Sequence, residues 1–259
     1  MNILCIGDVV GSVGCNTLRE KLPALKREYS VDLTVVNGEN SADGNGITPE
    51  SAASIFCFGA DIITGGNHTM RRPEIHEQLD TNPNLLRPHN LPEVAYGSGY
   101  CLYDMGKTQV AVINLSGKIY LDSLNAENPF VAVDSLLERA EKDGAKIIIV
   151  DFHAEATSEK RALGIYLDGR ASVVFGTHTH VQTADAQILP LGTGYITDLG
   201  MTGPKNSVLG VRSDIISSRL KDKNMQKFEL ADGECILNAC LFTVDEKTAK
   251  VTKIERIFI

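Results

Sequence analysis

No stretch of this sequence approaches the ~18 consecutive apolar residues that crossing a bilayer requires, and none is low in complexity, repeated or built like a linker. A membrane-spanning helix and a repeat array are thereby excluded, and one domain over residues 1–259 is expected. Basic residues are in deficit, 25 Lys and Arg against 33 Asp and Glu, for a net charge of -8. Binding to a nucleic-acid backbone depends on many Lys and Arg contacts, so no stable duplex partner is expected. A small anion stays admissible if a local positive centre overcomes that background, and bound metal ions supply one. The six cysteines are scattered and no two are spaced C-x-x-C, the pattern of reduced, partly buried thiols in a cytoplasm. Residues 1–7 carry neither a basic leader nor a cleavage signature, so no secretion signal is expected and the location expected is cytoplasmic.

With 43% apolar and 22% charged residues the composition is that of an ordinary soluble protein, long enough to bury roughly three quarters of its unfolded surface. Five apolar runs, at 2–7, 31–36, 61–64, 146–150 and 172–175, read as strands buried on both faces. Helical patterns fall at about 14–28, 49–58 and 129–142. Alternation of the two implies parallel strands joined by right-handed crossovers, an α/β protein. The tail differs: 235–244 and 250–259 flank Asp245-Glu246-Lys247-Thr248-Ala249 as a hairpin, implying an antiparallel edge or a second sheet. Between 70 and 98, Arg71-Arg72-Pro73, Pro83, Arg87-Pro88-His89 and Pro92 make an irregular, partly exposed segment directly after His68. It reads either as a lid over the strand ends or as an ordinary surface excursion.

Open α/β sheets gather their ligands at the carboxyl ends of strands, and each of the five runs delivers chemistry there. In chain order they deliver Asp8, then Asn37-Gly38-Glu39-Asn40, Gly65-Gly66-Asn67-His68, Asp151-Phe152-His153 and Gly176-Thr177-His178-Thr179-His180. Core packing does not account for His68, His153, His178 and His180 falling at strand ends together with Asp8, Glu39 and Asn67. His178 and His180, two residues apart, point the same way in an extended segment and could serve one ion or two neighbouring ions. One Asp, one Glu, two Asn and three His exceed a single tetrahedral site and suit two ions sharing a carboxylate. Nitrogen and oxygen ligands without thiolate favour Fe, Mn or Zn over Mg or Ca. The glycine-rich stretches 7–14 and 44–46 match neither phosphate-loop pattern and read as tight turns that let backbone approach the metals.

Five motifs in this order, Gly7-Asp8-Val9-Val10-Gly11, Asn37-Gly38-Glu39-Asn40, Gly66-Asn67-His68, Asp151-Phe152-His153-Ala154-Glu155 and Thr177-His178-Thr179-His180, span essentially the whole chain. They resemble the calcineurin-like metallophosphoesterases, and more closely their YmdB-like branch of bacterial cyclic-nucleotide phosphodiesterases. Thr197-Asp198-Leu199-Gly200-Met201-Thr202-Gly203 also looks like this branch, as a structural turn near the site. The resemblance implies a four-layer α-β-β-α sandwich of two mixed sheets, with the site at the carboxyl ends of the strands. It implies that Asp8, Glu39, Asn40 and His180 hold one metal, and that Glu39, Asn67, His153 and His178 hold the other. Glu39 would bridge them, and His68 would stay off the metals and act on substrate. Iron or manganese is implied ahead of zinc. Three positions depart from the general superfamily pattern: Val10 stands where a histidine is usual, Glu39 where the bridge is usually an aspartate, and Thr69 where an acid commonly follows the catalytic histidine. All three match the YmdB-like branch.

Two divalent ions set against Asp8 and Glu39 leave about two positive charges, which would draw in an anionic phosphodiester. They would also bring a bridging water toward a pKa of ~7, so hydroxide is the expected nucleophile. The leaving oxygen needs a proton, and His68 is the expected general acid; the alternative is a hydrogen bond that only positions Asn67. Hydrolysis of cyclic nucleotides, 2',3'-cyclic ones first, is the expected function. Alternatives are a broad-specificity phosphoesterase, a binuclear amidohydrolase (whose His-x-His lies on the first barrel strand, not late as here), and a regulatory protein whose metal centre binds a nucleotide or partner. Shared apolar surface could support a homo-oligomer.

Overall fold

The computed structural model describes residues 1–92, 96–223 and 226–259. Its strands are β1 (Asn2–Ile6), β2 (Asp8–Val9), β3 (Leu33–Asn37), β4 (Ile62–Thr64), β5 (Tyr100–Asp104), β6 (Gln109–Ser116), β7 (Ile147–His153), β8 (Val173–Thr177), β9 (Gln187–Ile188), β10 (Gly194–Ile196), β11 (Met201–Pro204), β12 (Cys235–Asp245) and β13 (Lys250–Phe258). The helices are α1 (Gly11–Glu28), α2 (Pro49–Cys57), α3 (His76–Thr81), α4 (Pro129–Lys142), α5 (Thr157–Tyr166) and α6 (Ser213–Asp222).

The apolar runs become strands because both of their faces are buried, and their period of two divides each strand between two cores. In β1, Ile3 and Cys5 enter a layer shared with Val110, Ile149 and Phe175 of the other sheet, whereas Leu4 and Ile6 pack against Leu18 and Leu22 of α1 and Ile55 of α2. In the second sheet, Val110 and Val112 of β6 face the shared layer, while Ala111 and Ile113 meet Val133 and Leu136 of α4. Four layers, α-β-β-α, follow directly from this alternation. One sheet runs β2-β11-β12-β1-β3-β4 with β13 on the free side of β12, and the other β5-β6-β7-β8-β10-β9. Both are mixed: β1, β3 and β4 are mutually parallel, as are β6, β7 and β8, while β12 and β5 run against their neighbours.

Local chemistry places the helix starts. Pro49 follows Thr48, whose hydroxyl accepts the Ser51 N–H at 3.3 Å while the Ser51 hydroxyl accepts the Thr48 N–H at 3.0 Å, a closed capping box. α1 begins at Gly11, three residues before its expected start, since Gly11 accepts a φ of +62° at the turn out of β2.

The tail hairpin forms as expected, with β13 as an antiparallel edge strand, while β12 is interior: residues 235–237 pair with β11 and 239–243 with β1, and β13 takes the other side. An almost uninterrupted buried run in β12, against the exposed alternation of β13, is the physical reason. The segment 70–98 is not irregular throughout, because Ile75, Leu79, Leu85 and Leu86 are buried and Ile63 bridges Leu85 beside β4. These side chains tie most of it to the core beneath α1 and α2, and residues 93–95 of that segment lie outside the described residues. Among the described residues, no helix is long and apolar enough to cross a membrane.

Candidate metal centre

Parallel registry brings the carboxyl ends of strands from both sheets to one rim. Ile6, Val36 and Ile63 are in register across β1, β3 and β4, and His153 lies level with Thr177 across β7 and β8. Strands β7 and β8 run further than expected, so His153 is the last residue of β7 and His178 follows directly on β8. Asp8 is drawn into β2 by pairing with Met201.

All seven expected ligands meet there. Asp8 Oδ1 lies 3.6 Å from His180 Nε2, which lies 3.3 Å from Asn40 Nδ2. Asn40 Nδ2 donates to Glu39 Oε1 at 2.9 Å, and the same oxygen lies 3.3 Å from His153 Nε2. That nitrogen in turn lies 2.8 Å from Asn67 Oδ1 and 3.1 Å from His178 Nδ1. His68 sits alongside, its backbone N–H donating to Glu39 Oε2 at 2.8 Å and its Nδ1 lying 2.8 Å from Asn40 Oδ1. Among the described residues it makes no hydrogen bond to Asn67; its hydrogen bonds go to Glu39 and Asn40.

The surrounding bonds decide which ring nitrogens are free. Thr177 Oγ1 donates to Asp151 Oδ1 at 2.7 Å and so must accept from His153 Nδ1 at 2.9 Å, leaving Nε2 as the free nitrogen of His153. His180 Nδ1 donates to the Leu209 carbonyl at 3.0 Å, and His178 Nε2 faces Glu155 Oε2 at 3.0 Å. Lone pairs on His153 Nε2, His178 Nδ1, His180 Nε2, Glu39 Oε1 and Asn67 Oδ1 therefore converge without donors enough to separate them. Asp8 Oδ1 is fully buried and has no hydrogen-bond partner among the described residues. Donor atoms of Glu39, His153 and His178 all lie within 4.8 Å of one another. This nitrogen and oxygen set fits transition-metal cations. Asn40 is the partial exception, since its amide gives Oδ1 to His68 and turns Nδ2 inward; as a ligand it would need that amide turned over.

Charge follows the same logic. Burial disfavours the imidazolium of His153, yet Glu39, Asp8 and Asp151 outweigh it and hold its pKa up at about 9. Burial, with the His153 charge beside it, pushes His178 down to about 3. Burial would raise Asp8, but His180 and His153 hold it well below the usual carboxylate range. The convergence that draws a proton onto His153 is one that a metal cation would satisfy.

The His178-Thr179-His180 segment departs from the extended geometry expected of it. His178 and His180 have φ values of +98° and +61°, so the rings diverge, one toward His153 and the other toward Asp8. Asp198 enforces this turn: Oδ2 accepts the Thr179 N–H at 3.1 Å and hydroxyl at 2.7 Å, and Oδ1 accepts the Gly200 N–H at 2.8 Å. Asp198 is itself neutralised by Lys160 at 2.6 Å, both side chains being almost fully buried. Reading by strand ends alone gave no role to Asp151, Glu155, Lys160, Thr177 or Asp198. Asp151, Glu155, Thr177 and Asp198 stand inside the quoted motifs, whereas Lys160 leaves no sequence signal. Gly66 packs against the ligand set itself, for a Cβ there would collide with His153 and Glu39.

A family model described as YmdB-like protein matches residues 4–257. The chain is 48% identical over 259 residues to the 2',3'-cyclic-nucleotide 2'-phosphodiesterase of Bacillus subtilis (strain 168), covering 100% of this chain and 97% of that one. It is similar to the crystal structure of a novel phosphatase of Mycoplasma pneumoniae, with a TM-score of 0.94 and 35% identity over 100% of this chain and 93% of that one. A hypothetical protein from Thermus thermophilus has a TM-score of 0.92 and 36% identity over 100% of this chain and 99% of that one.

Proposed function

The chain belongs to the YmdB-like protein family and is a phosphodiesterase, and we propose that it hydrolyses cyclic nucleotides, 2',3'-cyclic ones foremost, at a centre of two metal ions. The observation that carries this reading is the convergence of carboxylate, amide and imidazole lone pairs around Glu39, with no thiolate among them and a fully buried Asp8 oxygen lacking a partner among the described residues. Iron or manganese ions, one held by Asp8, Glu39, Asn40 and His180 and the other by Glu39, Asn67, His153 and His178, would supply water activation and neutralise phosphoryl charge.

The side chains do the rest. Water oxygen joins phosphorus as one P–O bond of the cyclic ester breaks, and the departing ribose oxygen needs a proton. His68 supplies it. With Nδ1 directed to Asn40 at 2.8 Å, Nε2 is the nitrogen left to carry that proton to substrate. Burial lowers the pKa of His68, opposed by Glu39, which eases proton release once the leaving oxygen turns basic. Thr177 and Leu209 hold His153 and His180 in the tautomers that keep their ligating nitrogens bare.

Manganese-loaded protein is expected to turn over 2',3'-cAMP and bis-p-nitrophenyl phosphate, with two ions per chain by elemental analysis. His68→Ala should lower kcat by about 10²–10⁴ while keeping both ions, because His68 is not a ligand. Full activity in that variant refutes the acid role. Nucleotide binding that persists without metal, with no turnover in its presence, refutes the enzymatic reading.

A further inference from the structure

A cavity of about 890 Å³ opens beside His68, bordered by Arg71, Arg72, Lys227, Phe228 and Leu230. Its volume falls within the range of sites that hold small molecules, and far exceeds what a phosphate group needs. The charges around it are not balanced. Arg72 is matched by Asp43 at 3.3 Å, and the acid at the rim, Glu229, is matched by Arg212 at 2.7 Å. Arg71 and Lys227 have no ionic partner among the described residues, so two cations face this space on a chain of net charge -8. Phe228 is 51% exposed, and Arg219 braces it with its guanidinium 4.6 Å from the ring centroid.

Resting on the phosphodiesterase reading above, we propose that this cavity is the nucleoside subsite, in which the base of the substrate stacks on the face of Phe228 that Arg219 leaves open. Three observations point to it. The proton donor must touch the leaving oxygen, that oxygen is borne by the ribose, and His68 lines this cavity. The unmatched cations suit a ligand that brings a phosphate, and the apolar remainder, Phe228 and Leu230, suits a planar ring rather than a second anion. A second cavity, about 550 Å³ beside His180, also borders an exposed ring, Phe258 at 59%, but differs in its other features. His68 does not line it, and its Lys205 and Arg256 are engaged by Glu234 at 3.1 Å and the Thr183 carbonyl at 3.2 Å.

The chain contains no tryptophan, so Phe228→Trp introduces a single indole, excited selectively beyond the tyrosine absorption band, at the proposed stacking face. Adenosine 3'-monophosphate should quench it saturably in the metal-loaded protein, and ribose 3-phosphate at the same concentrations should not. Steady-state kinetics give the second arm. Phe228→Ala should reduce the preference for 2',3'-cAMP over methyl riboside 2',3'-cyclic phosphate, which lacks the base, by about tenfold, with the loss carried by KM, as base–aromatic stacking contributes on this scale. Phe228→Tyr should restore it. Phe228 is half-exposed, so the fold should survive each change, and a thermal melt verifies this. Absence of saturable quenching, equal quenching by the base-free phosphate, or an unchanged substrate preference in an active enzyme overturns the subsite. If no cyclic nucleotide is hydrolysed at all, the phosphodiesterase reading fails instead, and the fluorescence titration still decides whether a base stacks on residue 228.

Discussion

Lys160→Met removes the cation from a pair buried on both sides. The Lys160 ammonium stands 2.6 Å from Asp198, with the two side chains 1% and 0% exposed. Opposite charges at that separation attract by about 6 kcal/mol at an effective dielectric near 20. Part of this is recovered in the variant, since an ammonium no longer has to be desolvated. Three donors, the Thr179 N–H and hydroxyl and the Gly200 N–H, also remain on the carboxylate. The net loss should therefore lie at the lower end of that for breaking a buried pair, about 3 kcal/mol. For a chain of this size that corresponds to a fall in Tm of about 6–12 °C. Thermal scans and urea unfolding of the metal-free variant measure it. A double-mutant cycle with Asp198→Asn isolates the pair: the double variant should be more stable than the summed single losses by about 2 kcal/mol or more. Because Asp198 turns Thr179 between His178 and His180, manganese affinity should fall as well. A loss under about 1 kcal/mol, or strict additivity in the cycle, refutes the reasoning.

Three further outcomes are expected. Thr177→Val deprives His153 Nδ1 of its acceptor and Asp151 of a donor, so manganese affinity measured by calorimetric titration should drop about 10–100-fold with the far-UV spectrum retained; unchanged affinity counts against the relay. Gly66→Ala thrusts a methyl group against His153 and Glu39, and elemental analysis should find metal lost from a chain that still folds; two ions retained would show that the cradle is looser than described. Stripping the metal with a chelator should lower Tm by about 5–10 °C and added manganese should restore it, the shift expected for a ligand at roughly a hundredfold above its Kd; a Tm indifferent to metal contradicts the ligand set.

The strands that carry the site were readable because parallel strands buried on both faces leave uninterrupted apolar runs, as at Leu33–Asn37 and Val173–Thr177. Elements without that signature went unread. β2 and β9 are two residues long, β10 three and β11 four, too short for a local period to mark them. Helix α5 hides for a different reason: it buries Glu159 and Lys160, inverting the pattern by which an amphipathic helix is recognised. Lys160 was invisible on the same account, since a lysine in sequence reads as surface.

What the sequence determined by itself was which side chains reach the rim, because a strand's end and the residue after it are set by local burial period. The direction each side chain takes beyond that end belongs to the tertiary structure. His178 and His180 diverge because Asp198, some twenty residues on, bends the backbone between them, and because Leu209 and Glu155 claim the outward ring nitrogens. Likewise, Asn40 joins Glu39 to His180, and His68 acts on Glu39 and Asn40 rather than Asn67, through hydrogen bonds between separate loops. Side-chain orientation at a strand end is decided by whichever donors and acceptors the fold brings within about 3 Å, and those come from all along the chain.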